Sequence, residues 1–186
     1  MSGIPISQDT RILRVQDIMT RDIIMQNKWE RPIYFAVTVS PDSKIGLDSY
    51  MWMQGLAYKL KPVKMDSQDG GVDKDIMEAN VLATNTVPSK TPQHGYLYRN
   101  LNNPAVYYDE NVQRLAMNYR AAFMRMTFDA MREGNREKAK QTMAQLEKTV
   151  PLNVCPIRDW VFTARMMSIF IQLGDTANFQ VYSKSV

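Results

Sequence analysis

Apolar residues in the first part of the chain recur at every third or fourth position, the period of one face of an α-helix. The stripe consists of Ile12, Val15, Met19 and Ile23, and it is widened by Ile18 and Ile24. Charged residues fall mostly on the other side, namely Arg11, Arg14, Asp17, Arg21 and Asp22. The pattern predicts an amphipathic helix over Arg11–Asn27, with Thr10 or Asp9 as its N-terminal cap.

The pattern then changes to a continuous apolar run. Ile33–Val39 follows Pro32 and is nearly all β-branched, aromatic or apolar, which is typical of a strand buried on both faces. In Leu56–Met65, by contrast, Tyr58 and Leu60 share one face and two lysines share the other, which is typical of an edge strand. We therefore expect an interior strand that is covered by helices or pairs between the subunits of a homodimer.

Two short helices are predicted on either side of the second strand. Gly46–Gln54 has apolar residues at helical spacing, and Gly55 follows as a C-terminal cap. Asp73–Val81 is predicted as a further short helix after a polar loop. The segment Thr84–Asn103 is predicted as a loop, because prolines and a glycine interrupt it.

From Asp109 onward the pattern is wholly helical. Asp109, Asn135 and Asp175 are expected N-caps. The first helix has an apolar stripe that consists of Val112, Leu115, Tyr119, Phe123, Met126 and Ala130, and the expected inward residues of the second are Ala139, Met143 and Leu146. The third has apolar residues on more than one side, namely Trp160, Val161, Ala164, Met167, Phe170 and Ile171, so we expect it to be the most buried of these helices. Gly134 and Gly174 lie 174 − 134 = 40 positions apart and each joins two helices. Hairpins at this spacing resemble tetratricopeptide-type repeats.

Together these patterns predict an α+β fold that is mainly α. A small two-stranded α/β unit with a long loop would occupy residues 1–105. Tetratricopeptide-like antiparallel helical hairpins would occupy residues 106–186. Two hairpins are fewer than a freestanding repeat array needs, so we expect both parts to pack as one compact domain.

Composition narrows the class of protein. The 186 residues are 45% hydrophobic and 23% charged, as in ordinary globular proteins. The net charge of +4 comes from basic residues interspersed with acidic ones, so we expect no nucleic-acid partner. A single cysteine, Cys155, excludes an intramolecular disulfide. No signal peptide or membrane-spanning run is visible, so contact with a membrane would run through a segment absent from this chain.

The sequence contains no motif that is typical of a catalytic site. There is no phosphate-binding loop and no nucleophile elbow, and the one histidine, His94, lies in a polar loop. The pairs of carboxylates lie where helix N-termini are expected, and the helix dipole explains them. We therefore predict no catalytic residue, no metal and no cofactor. Tyrosines crowd the long loop at positions 96, 98, 107 and 108, where they either hold the loop on the helices or line a ligand groove.

Four segments carry a resemblance to a known family. They are Asn27–Ala36; Gly46-Leu47-Asp48 followed by Gln54–Leu60; Asn100–Val112; and Glu133-Gly134-Asn135. In this order they resemble parts of bacterial, Bacteroidetes-type multi-pass membrane proteins classed as protein O-mannosyltransferase-like glycosyltransferases. The resemblance covers the last portion of the soluble C-terminal region. It implies a position on the extracytoplasmic, periplasmic side of a membrane, and it carries over no sugar-transfer residue, since those lie in the membrane part.

Three functions follow from the resemblance and the helical hairpins. The first is a non-catalytic extracytoplasmic interaction or accessory module of a membrane-anchored glycosyltransferase-like protein, with a protein or glycan partner. The second is part of that enzyme's cleft for a sugar or lipid-phosphate sugar. The third is a free-standing repeat adaptor.

The cleft hypothesis names three candidate binding residues. Trp29 and Tyr58 suit the apolar faces of sugar rings, and Arg31 suits phosphate through its forked donors. The alternative is structural: Trp29 would pack the first helix against the strand, and Arg31 would pair with a carboxylate.

Overall fold

The computed structural model describes residues 14–66, 70–83 and 87–185. The helices are α1 Val15–Asn27, α2 Lys74–Val81, α3 Glu110–Arg132, α4 Arg136–Thr149, α5 Trp160–Leu173 and α6 Thr176–Ser183; the strands are β1 Tyr34–Ala36, β2 Met51–Met53, β3 Ala57–Leu60 and β4 Gly71–Val72. The fold is mixed and mainly α, which confirms the predicted class. The expected caps Asp9 and Thr10 lie outside the described residues.

The chain forms two compact units, Met1–Met77 and Glu78–Val186. The boundary between the two units falls inside α2, which begins in the first unit and ends in the second. The predicted division into residues 1–105 and 106–186, and the packing of both parts as one compact domain, stay predictions.

The first unit is built around a four-stranded sheet with the order β1-β3-β2-β4. β3 pairs antiparallel with both β1 and β2, and β2 pairs parallel with β4. The register aligns Phe35, Tyr58 and Met53 in one row across the sheet and Tyr34, Lys59 and Trp52 in the next. Because side chains alternate between faces along a strand, these two rows project to opposite sides of the sheet.

The expected roles of the two strands are wrong. β1 lies at an edge of the described sheet, and only its central residue, Phe35, is buried. β3 is the interior strand, although it carries Lys59. Continuous apolar composition misled here because Ile33 and Val39, which lie outside β1, also pack partly buried against the core.

The predicted helix over Gly46–Gln54 is also wrong. A short 3-10 helix, Asp48–Tyr50, leads directly into β2. Gly55 adopts a φ of +108° in the tight turn between β2 and β3, where the backbone N–H of Gln54 donates to the Ala57 carbonyl at 2.9 Å. The glycine therefore closes a hairpin between strands and does not cap a helix.

One face of the sheet forms the core of the first unit. Its buried members are Phe35, Ile45, Leu47, Tyr50, Met51 and Leu60. The partly buried side chains of Ile24, Ile33, Val39 and Tyr58 pack against this cluster. Helix α1 thus reaches the core through Ile24, near its C-terminal end.

The second unit consists of two helix pairs with the predicted joints. α4 packs along α3, and α6 packs along α5. Asp109, Asn135 and Asp175 cap α3, α4 and α6 with side-chain oxygens that accept backbone N–H groups, as predicted. The hairpins are therefore present, while their likeness to tetratricopeptide repeats stays a prediction.

The predicted apolar face is buried in α4 and only in part in α3, and the expectation that α5 is the most buried helix is wrong, since it buries five residues, as α4 does. Ala139, Met143 and Leu146 of α4 are buried. On the other two helices, Val112, Leu115, Trp160, Val161 and Ile171 are exposed. α5 buries Phe170, which was among the residues named for it, together with Thr163, Met166, Ile169 and Leu173. Apolar residues surround most of this helix, so its composition does not indicate which side packs.

Candidate functional site

The outer side of α1 is an exposed apolar surface. Five large side chains on this helix are between 47% and 72% exposed, namely Val15, Ile18, Met19, Ile23 and Met25. We refer to these five residues as the α1 apolar face. An apolar stripe of this length normally packs against a core, and a contiguous exposed apolar patch marks an interaction site more often than a free surface.

The side of α1 that faces the protein is largely polar. Asp17 is buried, and it accepts hydrogen bonds from the Arg14 backbone N–H and from Arg14 Nε, both at 3.0 Å. Arg14 Nη2 also lies 3.5 Å from Ser43 Oγ. The hydrogen bond from the Arg14 side chain lowers the pKa of Asp17. The contact of Arg14 with Ser43 and the packing of Ile24 against the core attach α1 by the side opposite the α1 apolar face.

Charged residues interrupt and border the α1 apolar face. Asp22 is three or four positions from Ile18, Met19 and Met25, so it lies among them on the helix surface. Arg21 and Lys28, seven positions apart, are exposed along one edge of the face. Among the described residues, none forms a hydrogen bond or ion pair with the side chain of Asp22, Arg21 or Lys28.

The structure brings two of the three candidate binding residues to one turn. Trp29 follows α1 with a φ of +65°, and its side chain is exposed. Arg31 is also exposed, and its carbonyl accepts a 2.7 Å hydrogen bond from Asn27 Nδ2. Tyr58 lies elsewhere, next to Phe35 on the core side of the sheet, with Lys44 Nζ 4.9 Å from its ring centroid.

The opposite face of the sheet carries a charged cluster that sequence reasoning missed. Lys61 Nζ donates to Asp73 Oδ2 at 2.9 Å and lies 4.3 Å from the Trp52 ring centroid. Gln54 Nε2 donates to the same carboxylate oxygen at 2.8 Å. Burial acts to raise the pKa of Asp73, but the hydrogen bonds from Lys61 and Gln54 hold it below its ordinary value.

Trp52 has little free ring surface in this cluster. A Cβ on Gly71 would lie 3.0 Å from the Trp52 ring, so the ring rests on the neighbouring strand. Lys61 occupies a further part of the ring surface through its cation–π contact. The strand at Gly71 and the ammonium group of Lys61 therefore each cover part of the Trp52 ring, and both contacts stabilise the sheet.

In the second unit the tyrosines hold the long loop on α3. Tyr96 and Tyr98 make edge-to-face contacts with Tyr119 at 5.5 and 5.1 Å between centroids. Tyr98 Oη donates to the Val81 carbonyl at 2.8 Å, and burial raises the Tyr98 pKa. Tyr107 is almost wholly exposed and stands outside this cluster. The described geometry fits the structural explanation of Tyr96 and Tyr98.

A buried polar network lies between the helices of the second unit. The Arg120 side chain is fully buried, and its Nη2 lies 3.0 Å from the Val150 carbonyl and 2.5 Å from the Cys155 carbonyl. Nearby, Tyr182 Oη donates to Glu147 Oε1 at 2.6 Å. Burial lowers the pKa of Arg120 and raises those of Glu147 and Cys155. The network secures the connection between α4 and α5, a role that no local sequence pattern indicates.

The raised pKa of Glu147 predicts a pH dependence of stability. A carboxyl group whose pKa is higher in the folded state makes its full contribution to stability at pH values below its pKa in the unfolded chain, which is 4.5 for glutamate. This contribution is lost as the pH rises through the pKa of the folded state. Glu147→Gln keeps an acceptor for Tyr182 and cannot ionise. We expect the stability difference between variant and wild type to move in favour of the variant as the pH rises above 4.5. Urea unfolding at a series of pH values measures it, and a pH-independent difference would contradict the assignment.

The described residues contain no group of three or more His, Cys, Asp or Glu side chains that could hold a metal ion. None of the described helices has the length and apolar content that crossing a lipid bilayer requires.

Residues 1–81 match the family model of TMEM260-associated domain 2, a domain named after the membrane protein TMEM260. The match covers 81 of the 186 residues and ends at the last residue of α2. It therefore includes the whole sheet and the α1 apolar face. Comparison with curated proteins and with solved structures found no significant match.

Proposed function

We propose that this chain is a non-catalytic interaction or accessory module of a membrane protein. The observation that carries the proposal is the match of residues 1–81 to a domain associated with TMEM260. The match spans the first compact unit and ends four residues beyond it, at 81 against 77. In the same unit, the α1 apolar face supplies a surface of the kind that protein partners bind.

The finer form of the proposal concerns the parent protein. The resemblance of Asn27–Ala36 and Asn100–Val112 to O-mannosyltransferase-like proteins supports a glycosyltransferase-like parent that holds this module on its extracytoplasmic side. The helix pairs of the second unit, joined at Gly134 and Gly174, would then serve as tetratricopeptide-like supports for a protein or glycan partner.

Co-expression with a TMEM260-type membrane protein from the same genome tests the proposal. We expect the tagged chain and the membrane protein to elute together in detergent at a fixed ratio. The isolated chain should show no sugar transfer and no glycoside hydrolysis with activated or lipid-linked sugar donors. Separate elution would contradict the accessory role, and turnover by the isolated chain would contradict the non-catalytic one.

A second candidate function is a sugar-binding cleft of the same parent. The exposure of Trp29 and Arg31 in one turn favours it, since an aromatic ring and a guanidinium can bind a sugar phosphate together. This role predicts that Trp29→Ala and Arg31→Ala abolish transfer by the full parent without changing its thermal unfolding. Trp160→Ala, at another exposed tryptophan, is the matched control. Loss of folding in the first two variants would instead support the structural explanation.

A free-standing repeat adaptor is the remaining alternative. It predicts that the native protein is recovered in the same amounts from cells with and without the membrane protein, and never in the membrane fraction.

A further inference from the structure

We infer that the α1 apolar face binds an amphipathic helix of a partner protein, one that combines an apolar stripe with a row of acidic side chains along one edge. The inference rests on the proposed interaction role and names the chemistry of its partner. Its basis is the way α1 packs, which is the opposite of the usual arrangement for an amphipathic helix. The buried side carries Asp17, and the exposed side carries Ile18 and Met19. The charges within and beside the face then select among the surfaces that could cover it.

A lipid bilayer does not fit the face. Asp22 lies among Ile18, Met19 and Met25, so insertion of these side chains into the hydrocarbon would carry the carboxylate with them. An ionised carboxylate loses several kcal/mol when it leaves water without a partner. Helices that lie in membrane interfaces have an apolar side free of such a charge. A surface that covers Asp22 must place a hydrogen-bond donor or a cation opposite it, and a protein can supply either.

A second copy of the chain does not fit either. In a two-fold antiparallel pair of α1 helices, each edge meets the same edge of the copy. Arg21 and Lys28 would then face the equivalent basic residues. In a parallel pair in register, Asp22 would face its own copy in the middle of the contact. Both arrangements place like charges together, which is destabilising.

An acidic-edged helix satisfies every charged group of the surface. Its carboxylates would face Arg21 and Lys28, and a lysine or arginine within its apolar stripe would face Asp22. α1 has 13 residues, a length of about 20 Å at 1.5 Å per residue. A partner helix of roughly two heptads therefore covers it.

Two synthetic peptides test this chemistry directly. Both are helical and share one leucine stripe. The first carries glutamates along one edge and one lysine in the stripe, and the second has these charges inverted. We expect the full chain to bind the first peptide about tenfold or more tightly than the second, as measured by fluorescence anisotropy at low salt. The preference should shrink as the salt concentration rises.

Variants assign the binding to α1. Ile18→Gln and Met19→Gln are each expected to weaken binding of the first peptide by about tenfold. Ile171→Gln, at a position of α5 that is 61% exposed, is the matched control and should change nothing. The double variant Arg21→Glu with Lys28→Glu should reverse the preference between the peptides. These positions are exposed, so thermal unfolding of each variant should match that of the wild type.

Four outcomes would overturn the inference. Equal binding of the two peptides, or no binding, would refute the charge argument. A doubled solution mass that Ile18→Gln abolishes would identify a second copy as the occupant. Flotation with phosphatidylcholine–phosphatidylglycerol vesicles that Met19→Gln abolishes would identify lipid. Undiminished co-elution of Ile18→Gln and Met19→Gln with the membrane protein would refute the α1 site while leaving the proposed function intact.

Discussion

Replacement of Arg120 by methionine is expected to lower the free energy of unfolding by about 3–5 kcal/mol, the cost typical of breaking a buried charged network. The methionine side chain fills similar space but donates no hydrogen bond. The carbonyls of Val150 and Cys155, which Arg120 Nη2 contacts at 3.0 and 2.5 Å, would lose a buried donor. Glu147 would at the same time lose the nearby positive charge that offsets its burial.

The measurement is urea or thermal unfolding of the purified chain. Arg114→Met on the same helix is the matched control, because Arg114 is exposed, and its effect should stay within about 0.5 kcal/mol. Arg120→Lys should fall between the two, since one ammonium group keeps the charge but cannot reproduce the planar fork. If Arg120→Met were as stable as Arg114→Met, the network would have no stabilising role.

Replacement of Gly70 by alanine is expected to destabilise the first unit by more than about 4 kcal/mol, a size that marks a severe local conflict. Gly70 has a φ of +75°, where an L-residue is strained. A Cβ at this position would lie 2.2 Å from the Met51 carbonyl oxygen and 2.7 Å from the Asp48 carbonyl oxygen. Both atoms belong to the backbone that leads into β2, so neither moves aside without disturbing the sheet.

Gly134→Ala separates the two causes of that loss. Gly134 has nearly the same φ, +76°, but nothing lies within 4 Å of an added Cβ. Its replacement should therefore cost only the backbone strain, about 1–2 kcal/mol. The difference between the two variants in thermal unfolding measures the steric conflict at Gly70. Equal losses would mean that the strands around Gly70 adjust freely.

The helical half of the fold was predictable because its signals are local. Asp109, Asn135 and Asp175 stand directly before apolar periodic segments, and each proved to be a cap. Gly134 and Gly174 end helices in the left-handed region that favours glycine. Capping and helix termination depend on residues within one turn, so a sequence reading recovers them.

The sheet was less predictable because its pairing is not local. The segment Met51-Trp52-Met53 has no β-branched residue, yet it forms a strand between β3 and β4. Lysines at 59 and 61 resemble edge protection, but Lys61 has a partner in Asp73, twelve residues away. Which strand lies inside a sheet depends on such distant partners.

The apolar stripe of α1 was visible as a pattern, but the side on which the helix packs was not. Val15, Met19 and Ile23 follow the helical period, and that period says only that one face is apolar. The side that packs carries Asp17, whose buried carboxylate binds Arg14, and Ile24, which reaches the core. A lone buried aspartate is a rare anchor for a helix, so periodicity pointed to the opposite face.

The polar attachment of α1 also bears on its local opening. Asp17 is the one buried side chain among the described residues of α1, whereas α3 buries nine. A helix held by so little apolar burial can detach and re-form while the rest of the fold stays intact, so its amide hydrogens should exchange faster than those of α3. Binding at its outer side would suppress this opening. Part of the binding free energy would then be spent on ordering α1, and slower exchange there would report occupancy of the surface.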